Sequence, residues 1–439
     1  MPAPHDRLAA LRQPQFQLYA VGRVASAMGM TLLNATIFYQ VFKISDSALQ
    51  LGFIGLARFL PALGLALVGG AFADAHDRRR IAMAAQVVPL LSSLTLLMLT
   101  SSGRIELWHI YGIVLLVACA SSFENPSRQA LLPLLVKPET FPNAIVVSST
   151  VQSLGFVTGP ALAGGLIYLG GNPGFSLPYG VHVGLVATSI FTFFFLRPRA
   201  PDAPPREVSL AAIREGVSFV LHRQVVLGAM TLDMFAVVFG GAVALLPIYA
   251  EEILDVGSLG YGILAASLDA GALSMSVLLV VLPPIRRVGR ALLLTVAAFG
   301  LLTIVFGLSR WFPLSVAVYM LIGMADQVSV VMRQTTIQLS VPDELRGRVS
   351  SVNQLFIGAS NQVGAFESGL VAWATSATFA VVSGGIACLG VVAAVASKMP
   401  ELRRYTVEGR ASDEAEPMAI IVGLEEHPTS ASSPPAAGG

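Results

Sequence analysis

The feature that most constrains this chain is a series of twelve long apolar runs. A helix needs about 20 mostly apolar residues to cross the hydrocarbon core of a bilayer. Only 12% of the 439 residues are charged, and the runs lack the alternation that is typical of membrane strands. We therefore predict an all-α membrane protein. The predicted spans are residues 17–42, 49–73, 81–101, 107–127, 143–169, 176–196, 225–249, 258–282, 291–309, 312–333, 349–372 and 376–397.

The basic residues are distributed unevenly between the two sides of the predicted bundle. An even number of spans puts both termini on one side, and most of the 27 Lys and Arg residues then fall in loops on that side. The loops on the other side contain only Lys43, Arg104 and Arg310, whereas Arg23 and Arg58 fall inside spans. Because cytoplasmic loops are enriched in Lys and Arg, we expect a plasma (inner) membrane protein with both termini in the cytoplasm.

The two halves of the sequence echo each other, which indicates an internal repeat. Arg128-Gln129 recurs as Arg333-Gln334, and Val147-Ser148-Ser149 recurs as Val349-Ser350-Ser351, at offsets of about 200 residues. The repeat predicts two parallel six-helix bundles with a substrate site at the membrane midplane between them.

The repeat also predicts the domain organisation. Residues 1–196 and 225–404 form the two bundles. The connecting segment, residues 197–224, begins with a proline-rich stretch and continues as an amphipathic helix at the membrane surface. Residues 405–439 are predicted to be a disordered cytoplasmic tail.

The loop after span two carries a motif that resembles the signature of the major facilitator superfamily. It contains Gly70, Asp74, Arg78 and Arg79 at the family spacing, with Ala75 where that family usually has arginine. The resemblance implies a cytoplasmic gate in which Asp74 meets a helix N-terminus of the other half. The simpler alternative is that the arginines only set the topology.

Span five contains a second motif. Gly155, Gly159, Pro160 and Gly164 resemble the Gly-Pro motif of antiporter branches of the superfamily. Small residues at this spacing also favour close helix packing, and the two interpretations are compatible.

Three longer stretches, residues 123–133, 233–249 and 355–369, are similar to the enterobactin-exporter-like branch of the superfamily. That resemblance implies a secondary transporter that exports a small organic molecule, driven by proton influx. An importer or symporter of a small metabolite, and a lipid scramblase or sensor on the same scaffold, remain alternatives.

Charged residues inside the predicted spans are confined to particular helices. A charge at the bilayer centre costs roughly 2.5–3.5 kcal/mol on insertion scales, so such residues usually face the protein interior or a water-filled path. Spans three, six, nine and twelve contain none, and these four helices are peripheral in facilitator-type folds. The embedded residues considered as functional are Arg58, Glu124, Asp233, Asp269, Asp326, Arg333 and Glu367.

Proton coupling requires carboxyl groups whose proton affinity changes with their surroundings. The candidates are Asp233, Asp269, Asp326 and Glu367, and the residues considered as cavity counter-charges are Arg58, Arg333 and Glu124. Permanent ion pairs that join helices are the alternative for each of them.

Two further embedded charges, Glu124 and Arg333, are predicted near the cytoplasmic ends of their spans, where long side chains reach the interface. Polar side chains are candidates for the cavity wall or for helix–helix hydrogen bonds. They are Asn34, Gln152, Asn353, Gln354, Asn361 and Gln362.

Motifs for other classes of protein do not occur in the sequence. It lacks the metalloprotease, serine hydrolase and Walker-loop motifs. Residues 260–265 match a dinucleotide-binding loop, but they open a membrane span and follow no strand, so we expect neither an enzyme nor a cofactor or metal site. The expected partners are a small-molecule substrate, protons and the lipid bilayer. We expect a monomer without an obligate protein partner and without bound nucleic acid.

Overall fold

The computed structural model describes residues 10–75, 77–171, 174–199, 210–240, 242–283 and 285–406. Every regular element in these ranges is helical. The first half contains α1 (Pro14–Ser45), α2 (Ala48–Ala75), α3 (Arg78–Ser101), α4 (Leu107–Leu135), α5 (Phe141–Leu169) and α6 (Ser176–Phe195). The second half contains α7 (Leu210–His222), α8 (Gln224–Phe239), α9 (Leu246–Ile248), α10 (Gly257–Val281), α11 (Val288–Leu308), α12 (Phe312–Ser340), α13 (Asp343–Ala374), α14 (Ala377–Lys398) and α15 (Pro400–Arg404).

The long helices correspond to the twelve predicted spans. Together, α8, α9 and a π-helix (Tyr249–Ile253) form one segment, Gln224–Ile253, and ten segments among the described residues are long and apolar enough to cross a membrane. The other two are α2, in which the apolar helix is described over Ala48–Pro61, and α13, which is rich in polar side chains. The predicted all-α, twelve-helix membrane fold is confirmed. Part of the linker (residues 200–209) and most of the tail (residues 407–439) lie outside the described residues.

The peripheral helices are the ones that lack embedded charges. In the first half α3 packs against α4 and α6, and in the second half α11 packs against α12 and α14. The contacts between the halves come from other helices, because α2 packs against α13 and α5 packs against α10. These interface helices include three of the embedded charges, Arg58, Asp269 and Glu367.

The two halves meet most closely at one end of the bundle, which we call the distal end because it is opposite the start of α1. Here Lys43 Nζ of α1 lies 2.5 Å from Glu251 Oε2 of the π-helix, and Tyr39 also hydrogen-bonds Glu251. The hydroxyl of Tyr261 donates to the carbonyl oxygen of Ala35 at 3.0 Å. An ion pair and two hydrogen bonds therefore connect the halves at the distal end.

Glycines allow the backbones to approach at the same end. A Cβ atom on Gly164 of α5 would lie 2.6 Å from the Gly262 Cα of α10, and one on Gly369 of α13 would lie 2.7 Å from the Gly52 Cα of α2. Since real Cβ contacts are essentially never this short, any larger residue at these positions forces the halves apart.

The apolar cores differ between the two ends. One buried cluster at the distal end combines residues of both halves, for example Ile37 and Ile54 with Tyr249 and Leu264. At the opposite, terminal end the cores are separate: one belongs to the first half and two belong to the second. The described residues thus form a bundle that is joined at the distal end and divided at the terminal end.

Candidate functional site

A buried ion pair joins three helices of the second half. Arg333 Nη1 on α12 lies 2.7 Å from Asp233 Oδ2 on α8, with side chains that are 4% and 6% exposed. The same nitrogen donates to Asn353 Oδ1 on α13 at 3.2 Å. The prediction that Arg333 reaches the membrane interface is wrong, because α12 continues to Ser340 and keeps this guanidinium inside the bundle.

Two more carboxyl groups lie near this pair. Asp326 precedes Arg333 by two helical turns, which puts both on one face of α12. It interacts electrostatically with Asp233, Asp269 and Arg333. Asp269 comes from α10 and, like Asp326, forms no ion pair among the described residues. Asp233 and Asp326 therefore lie near the Arg333 guanidinium, and Asp269 of α10 lies near Asp326.

The fourth candidate, Glu367, lies apart from this group. It is on α13, two residues before the distal contact at Gly369, and its carboxylate accepts a hydrogen bond from Ser368 Oγ at 3.4 Å. The roles of all four carboxyl groups in proton coupling stay predictions.

The first half contains a second buried polar cluster. Glu124 and Arg128, one turn apart on α4, form an ion pair, and both are buried. Gln86 Nε2 of α3 donates to Glu124 Oε1 and to Ser189 Oγ of α6, at 3.0 Å in each case. A small, partly open pocket borders Glu124 and Gln86.

The interfacial position predicted for Glu124 is also wrong. The sequence prediction ended span four at residue 127, which made Arg128 a loop residue, whereas α4 continues to Leu135. The extra two turns enclose both charges within the bundle.

Two other arginines of the first half have only neutral hydrogen-bond partners among the described residues. Arg58 Nη2 on α2 donates to Asn34 Oδ1 on α1 at 2.7 Å, and its guanidinium carbon lies 5.5 Å from the centre of the Phe38 ring. Arg23 on α1 donates to the Gln152 side chain on α5. The structure does not pair Arg58 with any of the predicted carboxyl groups.

The remaining polar candidates divide between the site and helix packing. Asn34, Gln152 and Asn353 bind the arginines described above. Asn361 Nδ2 donates to the carbonyl oxygen of Ile357 on its own helix at 2.8 Å. Gln354 is exposed, and the backbone of Gln362 packs against Gly55 of α2.

The predicted gate motif is described in part. Gly70 and Asp74 lie in the last turns of α2, where only the backbone is described. The Asp74 side chain is therefore not among the described ones, and its predicted contact with the other half stays a prediction. Arg78 Nη1 donates to the carbonyl oxygen of Ala130 at 3.3 Å, and Arg79 donates to that of Phe194. Both contacts stay within the first half.

The sequence prediction missed one residue in this loop. Asp77 caps α3, because its carboxylate accepts from the backbone N–H groups of Arg79 and Arg80 at 2.9 and 3.3 Å. An Asp directly before a helix is a recognisable N-cap signal.

The motif of span five lies at two helix contacts. A Cβ atom on Gly155 would lie 2.7 Å from the Ala27 Cβ of α1. A Cβ atom on Gly159 would lie 2.6 Å from the carbonyl oxygen of Met28, which is also on α1. Pro160 is inside α5, and Gly164 faces α10 of the other half. This geometry favours the packing interpretation of the motif.

Comparisons with known proteins agree with this architecture. A family model described as transmembrane secretion effector matches residues 5–427. The multidrug efflux pump Tap of Mycolicibacterium fortuitum is 26% identical over 403 residues, which cover 88% of this chain and 96% of the pump. The enterobactin exporter EntS of Escherichia coli O1:K1 / APEC is 25% identical over 395 residues, which cover 89% of this chain and 93% of the exporter.

Solved structures with low sequence identity have the same fold. A POT family transporter in complex with a thioalcohol-conjugated peptide superposes with a TM-score of 0.70 at 12% identity, covering 88% of this chain and 96% of the other. The nucleoside transporter NupG gives a TM-score of 0.65 at 12% identity, covering 89% and 98%.

These matches confirm the predicted resemblance to the major facilitator superfamily and its enterobactin-exporter-like branch. They also confirm that the chain is a multi-pass membrane transporter and not an enzyme. Because the family match extends over nearly the whole chain, the protein belongs to the transmembrane secretion effector family of the major facilitator superfamily.

Proposed function

We propose that this protein exports a small organic molecule across the plasma membrane by alternating access, in exchange for protons. The observation that carries the proposal is a group of carboxyl groups in the second half: Asp233 pairs with Arg333, Asp326 lies near both, and Asp269 lies near Asp326. The names of the relatives, an efflux pump and an exporter, support the outward direction of transport.

The chemistry of the group supports proton coupling. Arg333 forms an ion pair with Asp233, while Asp326 and Asp269 have no cationic hydrogen-bond partner among the described residues. Carboxylates that share a site of low dielectric constant resist being ionised together, and an excess carboxyl group is neutralised by a proton. Proton transfer between these groups changes which of them pairs with Arg333 and, with it, the packing of α8, α10 and α12.

The proposed orientation follows from the charges of the loops. Arg residues are frequent at the terminal end, so the positive-inside rule places that end and both termini in the cytoplasm. Since the halves are joined at the distal end and divided at the terminal end, the described conformation corresponds to a carrier that is open to the cytoplasm.

Everted membrane vesicles that contain a pH-sensitive dye test this proposal. After an inward-acid gradient is formed, addition of a substrate that the protein exports should release protons from the vesicle interior in the parent chain. Asp326→Asn should abolish this release, because the group then carries one fewer titratable carboxyl.

Glu139→Gln is the matched control, because Glu139 is an exposed carboxylate outside the group. Replacing this carboxylate by an amide should leave proton release unchanged. Substrate accumulation without proton release in the parent chain would rule out proton exchange, and unchanged release in Asp326→Asn would remove the group from the mechanism.

A further inference from the structure

The embedded charges of opposite sign are concentrated in opposite halves. The first half encloses Arg23, Arg58 and Arg128 with one acid, Glu124. The second half encloses one base, Arg333, with the acids Asp233, Asp269, Asp326 and Glu367. The first half is therefore richer in embedded bases, and the second half is richer in embedded acids.

The embedded bases and the embedded acids differ in how their charges are neutralised. A carboxylate in a medium of low dielectric constant is neutralised by a proton, whereas a guanidinium stays protonated in proteins and offers five N–H donors. A buried guanidinium is therefore neutralised only by an anion. Glu124 performs this role for Arg128, but the described residues supply no carboxylate for Arg58.

The surroundings of Arg58 hold its guanidinium in place without balancing its charge. Asn34 accepts one hydrogen bond at 2.7 Å, and the Phe38 ring lies 5.5 Å away. Both partners are neutral, and Arg58 is half-buried, so other donors are available to a ligand. The N–H groups of Arg58 that Asn34 does not bind can form charge-assisted hydrogen bonds with an anion.

The place of Arg58 in the fold suits a substrate site. It lies one helical turn from Gly55, which packs against Gln362 of α13 at the distal contact between the halves. It also interacts electrostatically with Tyr261 of α10, in the other half. Arg58 is thus close to the distal contact, where residues of both halves meet.

We propose that Arg58 binds the ionised group of the exported molecule, and that the substrates of this transporter are organic anions such as carboxylates. Asn34 and Phe38 are positioning residues for the guanidinium. The proposal rests on the proposed transport function, and it assigns anion recognition to the first half and proton binding to the second. Arg23 provides a second cation nearer the terminal end. It precedes Asn34 by eleven residues, which is about 17 Å along α1 at a rise of 1.5 Å per residue.

Binding of two matched probes to the purified full-length chain in detergent tests the proposal. The probes are 1-naphthoate and 1-naphthamide, which share a ring system and differ in charge, and calorimetry measures their affinities. The parent chain should bind the naphthoate at least tenfold more tightly, since a charge-assisted hydrogen bond contributes about 1.5–3 kcal/mol.

Variants test whether Arg58 is the source of the preference for the naphthoate over the amide. Arg58→Gln should lose most of the difference between the probes without weakening the amide, and Arg58→Lys should retain part of it. Arg310→Gln is the control, because Arg310 is an exposed arginine that binds Thr378, and it should behave as the parent chain. Equal affinities in the parent chain, no detectable naphthoate binding, or an undiminished preference in Arg58→Gln would each overturn the proposal.

The vesicle experiment separates this inference from the proposed function. Proton-coupled efflux of neutral or cationic compounds, with no anion preference in binding, would leave the transporter proposal intact and refute the anion site. Anion binding that requires Arg58, without efflux of any tested compound, would support the site and count against transport.

Discussion

Arg333 Nη1 contacts both Asp233 and Asn353, so a single nitrogen atom links α8, α12 and α13. A buried pair of this kind is compatible with two roles, a fixed structural link or a member of a proton-binding group. Breaking such a pair by removing one partner costs about 3–5 kcal/mol, because the remaining charge is then buried alone. Loss of transport in a single variant therefore does not distinguish the two roles.

A charge exchange distinguishes them. Arg333→Gln should lower the free energy of unfolding by about 3–5 kcal/mol, and the double variant Asp233→Arg with Arg333→Asp should recover most of this loss, because it restores an ion pair. We expect the double variant to remain inactive, since its carboxyl group is displaced relative to Asp326 and Asp269. Thermal unfolding in detergent and dye-monitored proton flux are the two measurements, and recovery of both together would indicate a purely structural pair.

At the residue level, a charge that interrupts an apolar run is the signal that predicts Asp233, Asp269 and Asp326. Asp326 interacts electrostatically with the other two, and their role in proton coupling stays a prediction. Arg128 was missed because the apolar stretch of span four ends before it, although the helix continues beyond the hydrocarbon region. The pairing of Arg58 with Asn34 depends on the angle between α1 and α2, which hydropathy does not encode.

At the level of elements, the interface between α5 and α10 depends on two facing glycines. Gly164 and Gly262 bring the helices into backbone contact at the distal end. The adjacent Gly165 has no atom within 4 Å of the position that a Cβ would take. Neighbouring glycines of one helix thus have different consequences when they are replaced.

Gly164→Val should prevent closure of the distal end and shift the population toward conformations that are open there, because the new side chain collides with the α10 backbone. Gly165→Val is the matched control and should retain the parent distribution. Distances between spin labels on the distal ends of α5 and α10 measure the shift. Equal distributions in the two variants would show that this contact does not control closure.

The sequence predicted the number and order of the helices, because the length of an apolar run is a local property. It did not predict the π-helix Tyr249–Ile253, which presents Glu251 to Tyr39 and Lys43. That irregularity is stabilised by contacts between the halves, and its residues have no distinctive periodicity. Prediction from sequence therefore succeeded for elements that form locally and failed where tertiary contacts determine the backbone.

For the whole molecule, the internal repeat predicted two bundles but not their relative position. The sequence is the same in every state of a carrier, so the pattern of apolar residues is compatible with either end being closed. The structure adds the joined distal core and the divided terminal cores. Together these features support a mechanism in which protons bound by one half control access to a site formed by both.

The most direct test of this mechanism is the effect of pH on the distance between the two halves at the terminal end. Spin labels on α4 and α12, in a background without the free cysteines Cys119 and Cys388, report that distance in lipid nanodiscs. We predict a pH-dependent change of population in the parent chain and none in the triple variant Asp233→Asn, Asp269→Asn, Asp326→Asn. A distribution that is independent of pH in the parent chain, or an unaltered pH response in the triple variant, would contradict the account.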